Sequence, residues 1–305
     1  MAQAFDFQSQ GATAMTTNPF ATPPDPHAVR NAVASALSED RAYSDVTTQS
    51  TIPIEQQGHG QFIFKEAGVI CGLGIAEETF AQLSSDLYFE ALHRDGVFVE
   101  AETEVATITG PLAAMLSAER TALNFMQRMS GIATLTSQFV AEAARGGNAR
   151  VVDTRKTTPG LRALERYAVR CGGGHNHRDN LQDGVLIKDN HITATSNRGM
   201  DIRSAIHSAR DAVSHTLRIE VEVETSEQAT AAISSGADIV LLDNMDQRTM
   251  KTIVEQAPST IFEASGGVNL GTIQAIAATG VQLISVGALT HSAPALDVSL
   301  EIRPE

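Results

Sequence analysis

Cysteine is nearly absent from this chain, with two in 305 residues, Cys71 and Cys171. Two cannot build a disulfide framework, and neither has metal-ligand spacing with His175, His177 or His191. Both therefore read as free thiols of a reducing compartment, with the cytoplasm as the expected location. Long apolar runs are missing too, so no membrane-spanning segment is expected, and no fixed-period repeat stands out. Residues 1–26, rich in Ala, Thr, Gln and Pro, have neither the basic nor the apolar region of a signal peptide and read as a disordered tail. Positive charge is scarce: 22 Lys and Arg against 36 Asp and Glu give a formal net charge of -14. A field of that sign repels nucleic acid and anionic membranes, so any anion must be captured locally.

One stretch reverses the sign. From Arg155 to Lys188 there are seven basic residues (Arg155, Lys156, Arg162, Arg166, Arg170, Arg178, Lys188) and three acids (Glu165, Asp179, Asp183). Guanidinium groups grip carboxylates and phosphates in bidentate fashion, so this segment is a candidate clamp for a multiply charged anion.

After the tail, Val29, Val33 and Leu37 form one helical stripe. Short β-prone runs between Gly58 and Thr109, with one helix around Ile75–Leu83, predict a small α+β unit over 27–133. Ser117 is a candidate N-cap for a long helix, which places Arg120 in its first turn. From Val151 onward, strands near 151–153, 185–187, 218–223, 238–242, 261–264 and 282–286 alternate with helices, which implies a parallel sheet. A doubly wound sheet or an α/β barrel would satisfy that pattern. The strand ends favour the barrel over 134–294, because each finishes on a polar residue or glycine: Asp153, Lys188, Glu222, Asp243, Ser265, Gly287. In a barrel those ends share one mouth, where catalysis is sited.

Strict alternation from Arg218 to Glu224 puts Glu220, Glu222 and Glu224 on one face. A parallel barrel strand has no freely wet face, so at least one of these acids needs a partner. Asp243 ends an apolar strand, and carboxylates facing a cationic cluster suit hydroxyl groups or Mg²⁺. Ser265-Gly266-Gly267 and Val286-Gly287-Ala288 each lie between a strand and a helix, where backbone N–H groups can approach a phosphate.

Glu119-Arg120-Thr121-Ala122-Leu123-Asn124, the run Asp153–Arg162, Gly172-Gly173-Gly174 through His177-Arg178, Leu186-Ile187-Lys188-Asp189-Asn190-His191, Glu220–Val223, Leu241-Leu242-Asp243-Asn244 and Val286–His291 closely resemble quinolinate phosphoribosyltransferases, from about residue 37 onward. The resemblance implies an N-terminal α+β sandwich-like domain, an open seven-stranded α/β barrel, a possible return of 295–305 to the first domain, and a homodimer with shared active sites. It implies transfer of phosphoribosyl from phosphoribosyl pyrophosphate (PRPP) to quinolinate with Mg²⁺, yielding nicotinate mononucleotide, pyrophosphate and CO₂ for NAD biosynthesis. By matching motif, Arg120 of the neighbouring subunit, Arg155, His177, Arg178 and Lys188 would hold the quinolinate carboxylates, and Lys156 would face the phosphates. Glu222 and Asp243 would serve ribose and Mg²⁺, while Ser265, Gly266, Gly267, Gly287 and His291 would cradle the 5′-phosphate. The chain departs from the family at Ser44, where a glycine is usual, and at Asp179-Asn180, where an apolar or aromatic residue and glycine are usual. An acid beside Arg178 is expected to weaken the clamp. Two alternative enzymes remain: a phosphoribosyltransferase of the same architecture for another aromatic acid, and a barrel lyase forming a Schiff base on Lys188. A non-catalytic anion-binding scaffold fits poorly with so many charged strand ends.

Overall fold

The computed structural model describes residues 21–196, 199 and 201–305; residues 1–20 of the expected tail lie outside it. Helix α1 (Pro26–Glu39) starts with proline at its first position and with the Asp25 carboxylate accepting from the His27 N–H at 2.9 Å. Val33 and Leu37 are fully buried, as their stripe predicts. Helix α2 (Val46–Thr51) follows, capped by Asp45.

Strands β1 (Gln57–Phe64), β2 (Gly68–Val69), β3 (Tyr88–Ala91), β4 (Phe98–Val99) and β5 (Thr103–Pro111) frame helix α3 (Leu73–Leu83). The last strand, Val298–Pro304 (β12), pairs antiparallel with β1, giving a four-stranded sheet in the order β12-β1-β5-β3. Alternate residues of β1 are buried, so Phe62 and Phe64 enter the core. Phe62 meets Phe80 and Phe89 edge-on, with ring centroids 5.9 and 5.7 Å away.

Helix α4 (Leu112–Gly146) runs 35 residues through both halves of the molecule. Met115, Leu123 and Met126 pack on the antiparallel sheet, whereas Met129, Ile132 and Phe139 join the second core. The helix begins at Leu112, so Ser117 is not its cap. The Ser117 hydroxyl instead donates to Asp45 at 3.0 Å. Arg120 accordingly sits in the third turn, and no opposition to the helix dipole applies to it. Gly131 is required by close packing, since a Cβ there would lie 1.9 Å from the Pro294 carbonyl oxygen.

The second core is a six-stranded parallel sheet: β6 (Arg150–Val152), β7 (Val185–Ile187), β8 (Ile219–Val223), β9 (Ile239–Asp243), β10 (Ile261–Ser265) and β11 (Leu283–Ser285), ordered β6-β11-β10-β9-β8-β7. Each predicted strand is present within a residue or two. On the free side of β6, a single parallel bridge between Val152 and His175 takes the seventh place, and the barrel is open between His175 and β7. Helices α5 (Arg162–Cys171), α6 (Asp189–Ser196), α7 (Ile202–Ala212), α8 (Ser226–Ser234), α9 (Gln247–Gln256), α10 (Ile273–Ala277) and α11 (Ala288–His291) fill the connections. Ile219, Val221 and Val223 belong to the apolar core, which leaves Glu220 and Glu222 on the opposite, lumenal face. Among the described residues no helix is long and apolar enough to cross a membrane.

Candidate active site

At the strand ends the lumenal residues form a polar ring. The Lys188 ammonium, just beyond β7, donates to Glu222 Oε2 of β8 at 2.7 Å. Asp243 closes β9 in register with Ser265 of β10. Asn244 then adopts a left-handed conformation (φ 53°) and donates its backbone N–H to the Ser265 carbonyl at 2.9 Å. Gly266 (φ 87°) packs so tightly on Asn244 that a Cβ would come within 2.2 Å of its side-chain oxygen; only glycine fits this turn. Lys156, Gly287 and His291 converge, because a Cβ on Gly287 would lie 3.1 Å from Lys156 Cδ and 3.2 Å from His291 Nε2. The Thr290 hydroxyl fastens this group by donating to the Lys156 carbonyl at 2.9 Å.

Arg155 is half-buried, and its Nε lacks a hydrogen-bond partner. Neither Arg155 nor Arg178 forms an ion pair among the described residues. Burial depresses the Arg178 pKa, and the Arg155 charge depresses it further. Two guanidinium groups that feel each other's charge, one with a buried donor lacking a hydrogen-bond partner, can together take up a carboxylate or phosphate.

His177, expected at a substrate carboxylate, has both ring nitrogens engaged by the protein. Nδ1 accepts the Arg178 N–H at 2.7 Å, and Nε2 faces Glu220 at 3.1 Å and Glu263 at 3.4 Å. This pattern assigns the proton to Nε2, which removes the lone pair a metal would need there, although the three side chains cluster as ligands might. Burial opposes charge on the imidazole, yet the two carboxylates push it up to about 10. A second ring proton would have to enter at Nδ1, where the Arg178 N–H already points. Burial also raises the Glu220 carboxyl, against the hydrogen bond from His177 that lowers it.

These acids lie one lumenal step below Glu222 and Ser265. They line a cavity of about 410 Å³ that extends to Arg150, Arg218 and Leu283 at the strand starts. His177 and Arg178 line it as well, so the cavity runs from the Arg178 loop toward the strand starts, whereas barrels of this kind work at the C-terminal strand ends.

The sequence reading named Asp153 only as a polar strand end and Glu165 only as an acid of the cationic stretch, without their partners. Asp153, fully buried, accepts from the His177 N–H at 2.8 Å and from Asn176 Nδ2 at 2.5 Å. Glu165, also fully buried, accepts from Arg128 at 2.8 Å and from the Thr158 N–H at 3.0 Å, tying α4 and α5 to the loop after β6. Their signal was a charged residue at an apolar-facing helix or strand position, which hydropathy alone cannot assign a partner. Arg120 is exposed and makes no hydrogen bond or ion pair among the described residues. Lys188, the candidate Schiff-base nucleophile, is engaged by Glu222.

Comparison with known proteins bears on the family of the chain. Residues 132–301 match the quinolinate phosphoribosyl transferase C-terminal domain, and residues 45–130 match the corresponding N-terminal domain. The chain is 43% identical over 265 residues to a probable carboxylating nicotinate-nucleotide pyrophosphorylase of Bacillus subtilis, covering 87% of this chain and 90% of that one. It is 39% identical over 282 residues to the Mycobacterium leprae carboxylating nicotinate-nucleotide pyrophosphorylase, covering 90% and 97%. The crystal structure of NadC from Streptococcus pyogenes superposes with a TM-score of 0.87 at 35% identity, covering 93% of this chain and 99% of that one. With both halves matched and the identity spread over nearly the whole length, the chain belongs to the quinolinate phosphoribosyltransferase family.

Proposed function

We propose that the strand-end mouth of this barrel carries out its family's reaction, decarboxylating phosphoribosyl transfer from PRPP to quinolinate, which yields nicotinate mononucleotide for NAD biosynthesis. The observation that carries the assignment of residues is the nearness of Arg155 to Arg178, two cations that form no ion pair among the described residues, although Arg178 feels the charge of Glu220. A pyridine bearing adjacent carboxylates supplies what they lack. Arg155 and Arg178 hold one carboxylate each, Lys188 adds a third cation, and Arg120 of a second copy closes the pocket in a homodimer. The ring nitrogen attacks C1 of the ribose as pyrophosphate departs. The C2–carboxylate bond then breaks, the electron pair remains on C2 beside the cationic ring nitrogen, CO₂ leaves, and C2 takes a proton.

Lys156 and His291 face the phosphates, and the Ser265-Gly266-Gly267 and Gly287 turns offer backbone N–H groups to the 5′-phosphate. Glu222 and Asp243, half-buried on adjacent strands, form an all-oxygen set that fits Mg²⁺ and stand where positive charge develops on the ribose. Glu222 and Asp243 would hold a Mg²⁺ there, which would supply positive charge for the pyrophosphate. His177 acts as a post for Arg178, not as a carboxylate ligand.

The test is release of CO₂ from quinolinate. It should require PRPP and a divalent cation, and nicotinate, lacking one carboxylate, should turn over about 30- to 1000-fold more slowly, the loss of one charge-assisted contact. Comparable turnover of nicotinate would remove Arg155 and Arg178 from their roles. For the shared site, inactive Arg120→Ala and Lys156→Ala chains refolded together should recover about a quarter of wild-type activity.

A further inference from the structure

The acid that follows Arg178 turns away from the clamp. Asp179 Oδ1 lies 3.0 Å from Arg166 Nη1 on α5, and the Asp179 carbonyl accepts from Arg162 Nη1 at 3.2 Å. Its N–H donates to Asp183 at 2.8 Å. Arg166 is the hub of this arrangement. Its side chain is only 8% exposed, its Nη2 donates to the His177 carbonyl at 2.9 Å, and its Nε lies 3.6 Å from Asp153. Nη1 has no hydrogen-bond acceptor, so its contact with Asp179 is a pairing of charges without hydrogen-bond alignment. A nearly buried guanidinium nitrogen without an acceptor depends on that charge.

We infer that Asp179 is a positioning residue for substrate recognition: through Arg166 it locks the 177–184 loop onto α5 and so holds Arg178 in place for a carboxylate. Arg178 itself is tied by its Nη1, donating to the Gly184 carbonyl at 2.9 Å, and by its N–H on His177, both contacts within the loop. Without the Asp179–Arg166 pairing, the loop keeps only backbone ties to the helix, through the His177 carbonyl on Arg166 and the Asp179 carbonyl on Arg162. The inference rests on the placement of Arg178 in the quinolinate clamp.

The lock and a simple electrostatic nuisance make opposite predictions. If Asp179 merely sets negative charge beside a dicarboxylate, neutralising it should tighten quinolinate binding. If it locks the loop, Asp179→Asn should raise the quinolinate KM by about 2- to 5-fold, as expected for one partly exposed ion pair. The variant should leave kcat and the PRPP KM nearly unchanged, and its disadvantage should shrink as salt screens the pair. Asp179→Glu, keeping the charge, should recover most of the affinity. Amide hydrogen exchange across 177–184 provides a readout independent of substrate, and should be faster in Asp179→Asn than in wild type. A lowered quinolinate KM, or unchanged exchange, overturns the lock. Faster exchange with an unchanged quinolinate KM overturns instead the placement of Arg178 in the clamp.

Discussion

The antiparallel half and the barrel share helix α4 but differ in what they bury. Around β1, the fully buried side chains are Phe62, Phe64, Phe80, Ile108 and Met115, and no Asp, Glu, Lys or Arg before residue 140 is buried among the described residues. Beyond it, Glu142, Asp153, Glu165, Arg166, Glu220 and Glu263 are all buried. Packing alone accounts for the first core. The second carries charges whose desolvation opposes folding; Asp153, Glu220 and Glu263 lie on or just past the barrel strands that lead to the mouth, while Glu142 pairs with Arg145 on α4. The contrast separates a half built for stability from one in which stability is given up for fixed charge.

The largest effect should come from the apolar core. Phe62→Ala removes a ring that meets two others, and should destabilise the protein by about 3–5 kcal/mol in denaturant titration. Quinolinate and PRPP KM of the folded fraction should stay unchanged. In the barrel the order reverses. Lys156→Ala should lower kcat by roughly 10²- to 10³-fold, as for loss of one preorganised donor to developing charge, while stability moves by less than about 0.5 kcal/mol. If stability falls by several kcal/mol, Lys156 belongs to the packing and the contrast fails there.

Glu263→Gln is a finer probe. Glu263 is 1% exposed, and neither carboxylate oxygen has a hydrogen bond. Removing its charge while Glu220 still faces His177 should leave stability unchanged or raise it by about 1 kcal/mol. A loss of that size in thermal unfolding would mean the lumenal acids hold the barrel together.

The smallest effect concerns Asp45, whose carboxylate accepts from Thr48 Oγ1 at 2.5 Å, the Thr48 N–H at 3.1 Å and the Ser117 hydroxyl at 3.0 Å. These bonds, Thr48's first, lower its pKa below the ordinary 3.8. A lowered carboxylate contributes stability above 3.8 and loses it as pH falls through the folded value. Asp45→Ala should therefore cost about 1 kcal/mol at pH 7, and the gap from wild type should close in strong acid. Asp153 runs the other way, because burial raises it: its contribution is present at acid pH and is lost as pH climbs through the folded value.

What was legible in the chain follows the same division. Strand positions and polar strand ends were readable because a parallel strand covered by helices is an apolar run that stops abruptly, as Ile239–Asp243 does. The convergence of Lys156, Gly287 and His291 followed from placing every strand end at one mouth. Long-range contacts were not readable. Ser117 looks like a cap by local rules, but its partner is Asp45, 72 residues away. Glu263 reads as an ordinary strand residue between Phe262 and Ala264 until the barrel brings His177 opposite it. The acid at 179 looked harmful beside Arg178 because sequence adjacency says nothing about direction, and its side chain faces Arg166.

The central claim is that Arg155 and Arg178 select a dicarboxylate, and the ratio of kcat/KM for quinolinate to that for nicotinate tests it most directly. Wild type should favour quinolinate by about 30- to 1000-fold, and Arg155→Ala should lose most of that preference by slowing quinolinate far more than nicotinate. An Arg155→Ala enzyme that keeps the wild-type ratio would contradict the account.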